Sequence, residues 1–221
     1  MKHDETSQSI QSSLFIQKHS KFIRIWHWLT FLVLTFSMIT VLFASTLLEP
    51  RDNIGLVKNQ LKEKGAIVTE DQAWGVSHAF EDKMWDLHKY IGFGLAFLLL
   101  SRMFIEFSLS NEEKLQTKIK NALLLYKQAG LDKKENRHYL IVKWSYLFFY
   151  LLLLFMAVTG MALAFGSELG LSRQIHHFIK EIHGFGQYLI YTFVFLHLCG
   201  VVIADIGKSK GIVSGMIHGG E

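Results

Sequence analysis

Eleven histidines are distributed over the 221 residues of this chain. An imidazole can ligate a transition metal through either ring nitrogen, and inside a long apolar run it is costly unless something binds it. Four histidines occupy such runs. His27 stands in Arg24-Ile25-Trp26-His27-Trp28 at the start of the first, and His88 in Trp85-Asp86-Leu87-His88-Lys89-Tyr90 at the start of the second. His183 and His197 share the fourth.

The last two are separated by fourteen residues. On an α-helix that spacing falls about 40° short of four full turns and spans roughly 21 Å, so both rings leave nearly the same face at different depths. They cannot bind one metal. They suit two cofactors stacked along the helix, each needing a second ligand from another helix at its own level. His88 is expected level with His183, and His27 level with His197. Two neutral imidazoles fill both axial positions of a haem iron, and such a centre exchanges electrons but offers no open position to substrate. His176 could stand in for His183, and His138 for His27. His78, His177, His3, His19 and His218 fall in polar segments, where solvated or interface roles are expected.

The elements that must hold these rings are read from hydropathy. Half of the residues are hydrophobic, with 18 Phe and 5 Trp, more apolar surface than a water-soluble domain of this size needs. Four apolar runs, Ile25–Leu48, Tyr90–Leu109, Tyr139–Phe165 and Phe185–Ile206, each hold roughly the 20 residues that cross a bilayer core. The expected fold is an all-α integral membrane protein, a four-transmembrane-helix bundle holding two b haems. The spans are joined by an outer loop, 49–89, where a short helix with a partner-docking surface and a plain solvated loop are equally open, and by an inner segment, 110–138, and are flanked by tails at 1–24 and 207–221. Within the inner segment, Leu115, Ile119, Ala122 and Leu123 among lysines suggest an amphipathic helix on the membrane surface. The only proline, Pro50, lies outside the runs, so none is broken.

Charge sets the expected orientation. Lys114, Lys118, Lys120, Lys127, Lys133, Lys134, Arg137 and Lys143 cluster around the middle connection, with Lys18, Lys21 and Arg24 before the first run and Lys208 and Lys210 after the last. The 49–87 stretch is acidic on balance, with Glu49, Asp52, Glu63, Glu70, Asp71, Glu81, Asp82 and Asp86. Both termini are therefore expected in the cytoplasm, and no cleaved leader is expected. The net charge of +4 is spread through short connections, not gathered on a nucleic-acid-binding face. A lone cysteine, Cys199, excludes an internal disulfide, a four-cysteine iron–sulfur cluster and covalent Cys-x-x-Cys-His haem attachment. Arg24 and Arg102 are candidates to pair with haem propionates, although anchoring at a positive-inside interface accounts for them equally well.

Arg24-x-x-His27-Trp28, His88, Thr159-Gly160, His183-x13-His197 and Asp205 together resemble the bacterial cytochrome b561 family, including the cytochrome b subunits of nickel–iron hydrogenases. The similarity covers about residues 18 to 216. It implies two b haems held by His27, His88, His183 and His197, with electrons moving between a quinone or quinol and a redox partner protein. That partner would be hydrogenase-like, a cytochrome c or another dehydrogenase subunit. The chain shows no flavin or nucleotide fingerprint, so an electron-transfer subunit, open to homodimerisation, is expected ahead of a stand-alone enzyme. The longer outer loop and middle segment depart from the smallest family members and leave the partner and quinone site open. The competing readings are a self-contained oxidase of superoxide or another small reductant that reduces quinone, a histidine-lined metal or proton transporter, and a plain membrane anchor.

Overall fold

Helix boundaries in this chain follow local capping chemistry, which extends several helices beyond the apolar runs. A computed structural model describes residues 20–109, 111, 114–128, 133–207 and 211–219. The tail at 1–19, with His3 and His19, lies outside the described residues, as do Lys208 and Lys210. The described residues form seven helices: α1 Lys21–Ala44, α2 Pro50–Glu63, α3 Glu70–Ser108, α4 Leu115–Gln128, α5 Lys133–Ala164, α6 Arg173–Ile206 and α7 Ile212–His218. Four of them, α1, α3, α5 and α6, are long and apolar enough to cross a membrane.

The expected 49–89 loop is largely helical. Pro50 opens α2 at a position where its missing N–H costs nothing. Thr69 and Gln72 then form a reciprocal capping box, followed by Glu70 and Asp71 in the first turn of α3, a strong helix start. Hydropathy marks where lipid begins, not where the helix does, so α3 begins twenty residues before Tyr90 and His88 lies well inside it. The same holds for α6. Ser172 accepts a hydrogen bond from the Ile175 N–H (3.3 Å), and the helix starts at Arg173, not at Phe185. Helix α1 begins at Lys21 behind the Ser20 cap and ends at Ala44, before Leu48. The amphipathic helix of the middle segment is α4, which packs along α5 with Ala122 fully buried.

Helices α1 and α3 form one antiparallel pair and α5 and α6 another, with α3 also packed on α5. The apolar core is small: Leu99, Leu152, Leu153 and Ile190, flanked by Leu34, Met38, Phe149 and Met156. Many large apolar side chains face outward instead. The buried stripe of α1 is mostly polar or small: Trp26, Thr30, Ser37, Thr40 and Ala44. Hydroxyls turned inward and phenylalanines turned outward are the pattern of a bundle solvated by lipid. Helix α6 packs closely along α5 but makes few close backbone approaches to α1 or α3. What joins it to them is side chains, and the histidines are among these.

Candidate functional site

The ring centroids of His88 and His183 are 6.5 Å apart, with planes inclined by 80°. Each ring is held by a threonine. Thr40 Oγ1 lies 3.1 Å from His88 Nδ1 and donates its own proton to the Ser37 carbonyl at 2.7 Å. Thr159 Oγ1 lies 2.7 Å from His183 Nδ1 and donates to the Phe155 carbonyl, also at 2.7 Å. A hydroxyl has one proton. With that proton given to the backbone, each oxygen accepts from the imidazole, so Nδ1 carries the hydrogen and Nε2 keeps its lone pair. The Ser37 hydroxyl adds a longer contact to His88 Nδ1, 3.5 Å. Gly160 makes room for His183: a Cβ there would lie 3.2 Å from the ring's Cε1.

At the other end of the bundle, the His27 and His197 centroids are 6.3 Å apart, inclined by 56°. Here carbon does the holding. Phe193, one turn before His197 on α6, lies nearly parallel to its ring at 6.1 Å and 6°. Phe193 stacks in turn on Phe149 of α5 at 4.6 Å. Trp28 meets the His27 ring edge-on at 5.4 Å. The Nδ1 of His27 is buried with no hydrogen-bond partner among the described residues, as are Arg24 Nε and Thr30 Oγ1 on the same stretch of α1.

Both separations fit one metal between two rings. An imidazole nitrogen lies about 1.1 Å from its ring centre and about 2 Å from a bound metal ion, so a linear arrangement spaces the centroids by roughly 6 Å. Only two side chains converge at each place; among the described residues no group of three or more His, Cys, Asp or Glu could hold a bare ion. The metal must then bring its remaining ligands with it, as a metalloporphyrin does. Room exists beside the rings. Gly92, one turn after His88, and Gly200, three residues after His197, face open space where a Cβ would meet nothing within 4 Å. Close glycine backbone is what a flat macrocycle beside a helix needs.

The two candidate propionate partners also meet protein groups. Arg102, 8% exposed, pairs with Glu106 at 2.7 Å, donates to the Tyr150 hydroxyl at 3.1 Å and lies over the Trp26 ring. Glu106 also accepts from the Leu115 N–H, tying α3 to the start of α4. Arg24 donates to the Ile217 carbonyl at 3.0 Å, and Trp28 Nε1 donates to the Met216 carbonyl at 3.1 Å, so together they fasten α7 across the start of α1. The remaining described histidines join neither pair. His78 faces Glu81 and Asp82 on its own helix, His177 lies near Glu181, His176 abuts Gly166, and His138 and His218 are exposed.

The sequence reading passed over Ser37, Thr40 and Phe193. The hydroxyls had a signal, since polar side chains within an apolar span need a partner at their own depth. Thr40 lies thirteen residues beyond His27, about 20 Å along the axis, which is close to the rise separating His197 from His183. Phe193 had none, being one of many phenylalanines in the spans.

Similarity of sequence now adds to geometry. The sequence model of the family described as prokaryotic cytochrome b561 matches residues 18–219, nearly the whole chain. The chain belongs to the prokaryotic cytochrome b561 family: a bacterial membrane cytochrome, with b haem as the family's cofactor and transmembrane electron transfer as its work. No curated protein and no solved structure matches it.

Proposed function

We propose that this chain is a dihaem electron-transfer subunit, with His88 and His183 holding one b haem and His27 and His197 the other. A b haem supplies a one-electron iron couple. The observation that carries the reading is the recurrence of one arrangement: two imidazole pairs at 6.5 and 6.3 Å. Along α6 the two pairs are offset by about 21 Å, most of a bilayer core. Ligation by both imidazoles closes the axial positions, so the residues support electron exchange and leave substrate chemistry to a partner. The basic connections support a topology with the His27/His197 pair and both termini on the cytoplasmic side and the acidic α2–α3 connection on the opposite side. Electrons would then pass between the quinone pool at one face and a redox partner protein at the other.

The test is the visible spectrum of the purified, dithionite-reduced protein with haem counted per chain. Two low-spin b-type centres are expected. His88→Ala and His183→Ala should each abolish the same centre, and His27→Ala and His197→Ala the other. A colourless wild-type protein, or a histidine variant that keeps both low-spin centres, would overturn the assignment.

A further inference from the structure

The two imidazole pairs are alike in spacing and unlike in what surrounds them. At His88 and His183 each Nδ1–H points at a threonine oxygen whose own proton is committed to a helix carbonyl. Both threonines are buried, Thr40 at 4% and Thr159 at 7% exposure, so water does not compete for those bonds. At His27 the Nδ1 is buried without an acceptor among the described residues, and His197 is steadied by a parallel phenylalanine. An imidazole whose distal N–H is hydrogen-bonded is a more basic ligand and is fixed in one tautomer and ring orientation. A more basic axial pair favours ferric iron over ferrous and so lowers the reduction potential.

We propose that Thr40 and Thr159 are positioning residues that fix His88 and His183 with Nε2 free for iron and make that centre the more reducing of the two. The inference rests on the ligand assignment above and adds the direction of the potential difference across the membrane. Apart from the helix carbonyls that take their protons, the threonine hydroxyls meet the imidazoles. Their effect is transmitted through the Nδ1–H bonds, one from α1 to His88 and one from α5 to His183. Electrons entering at the His88/His183 end would therefore run downhill to the His27/His197 end.

The experiment is a redox titration, with low-temperature electron paramagnetic resonance, of the purified full-length chain and four variants: Thr40→Val, Thr159→Val, Thr40→Ser and Thr159→Ser. Valine removes the acceptor oxygen and keeps the shape. Each valine variant is expected to raise the midpoint of the lower-potential centre by about a tenfold change in its reduction equilibrium, ~59 mV for one electron. The resonance of that centre should shift too, while the other centre stays as in the wild type. The serine variants, which keep the oxygen, should behave as the wild type. Thr192→Val, which removes an exposed hydroxyl from α6 bonded only to its own helix, should change neither centre. If a valine variant loses one haem outright, its serine counterpart must retain it; a serine variant as defective as valine would overturn the proposal. So would two retained haems with both midpoints unmoved, or an equal shift of both. Those outcomes leave the ligand assignment standing, whereas a wild-type protein without two b haems would sink the assignment itself.

Discussion

The two ends of the bundle solve one problem with different chemistry. Both must hold two imidazoles with centroids 6.3–6.5 Å apart on different helices. At the His88/His183 end the means is hydrogen bonding, with threonines from α1 and α5 reaching the distal nitrogens. At the His27/His197 end it is aromatic contact, with Phe193 and Trp28 against the rings. The polar groups nearby serve other ends: Arg102 binds Glu106 and Tyr150, and Arg24 fastens α7. A hydrogen bond alters the electronic character of a ligand, whereas a stacked phenylalanine mainly restricts its orientation. Equal spacing thus coexists with unequal tuning.

Four further substitutions break this contrast at one end at a time. The largest effect is expected from Arg102→Ala. It leaves Glu106 in a partly buried site without its cation and removes the donor to Tyr150, and breaking such a pair costs about 3 kcal/mol or more. A lowered thermal unfolding midpoint of the detergent-solubilised protein would show this, with Arg102→Lys recovering part of the loss. Should Arg102→Ala unfold like the wild type, the polar cluster beside the His27/His197 end does not help hold it together.

Next comes Gly186→Leu, beside His183. A Cβ there would lie 2.5 Å from Met156 Sδ and 3.0 Å from Phe155 Cε1, so those side chains must repack between α5 and α6 around a leucine, at about 1–3 kcal/mol. The Thr159–His183 bond spans that same seam, and the haem-to-protein ratio should fall by the His88/His183 share. A Cβ at Gly200 would meet nothing within 4 Å, so Gly200→Leu should leave α5–α6 packing alone, its cost falling on the His27/His197 centre. Equal behaviour of the two variants would mean that glycine serves the same purpose at both ends.

The smallest effect belongs to Phe193→Leu. Losing its stack on Phe149 and His197 costs about 1 kcal/mol. The expected signature is a changed paramagnetic resonance of the His27/His197 centre, its imidazole planes being freer to turn, with the threonine-held centre unaffected. A shift at the His88/His183 centre instead would contradict the division of labour between the two ends.

Much of this arrangement could be read from the chain. The four apolar runs mark the spans, and the family pattern from Arg24 to Asp205 is carried by residues of distinctive type. Hydropathy registers the lipid boundary, whereas Thr69, Gln72 and Ser172 cap helices that start ahead of it, so the choice between helix and loop in the outer connection needed the structure. Arg102 could be read as a cation near the inner face, whereas its contact with Tyr150 depends on how α3 packs on α5.

What the amino-acid order determined unaided is whatever a single helix makes local: span length, the common face of His183 and His197, and their rise along the axis. These follow from fixed rotation and rise per residue and need no neighbour. Which ring meets which, which hydroxyl accepts from which Nδ1, and which glycine is crowded or open were decided by tertiary structure. Those contacts depend on how α1, α3, α5 and α6 are rotated and slid against one another, and a shift of one residue in register turns a side chain by about 100°. Thr40 reaches His88 because α1 and α3 pack in one antiparallel register, and no pattern within either helix specifies that alignment.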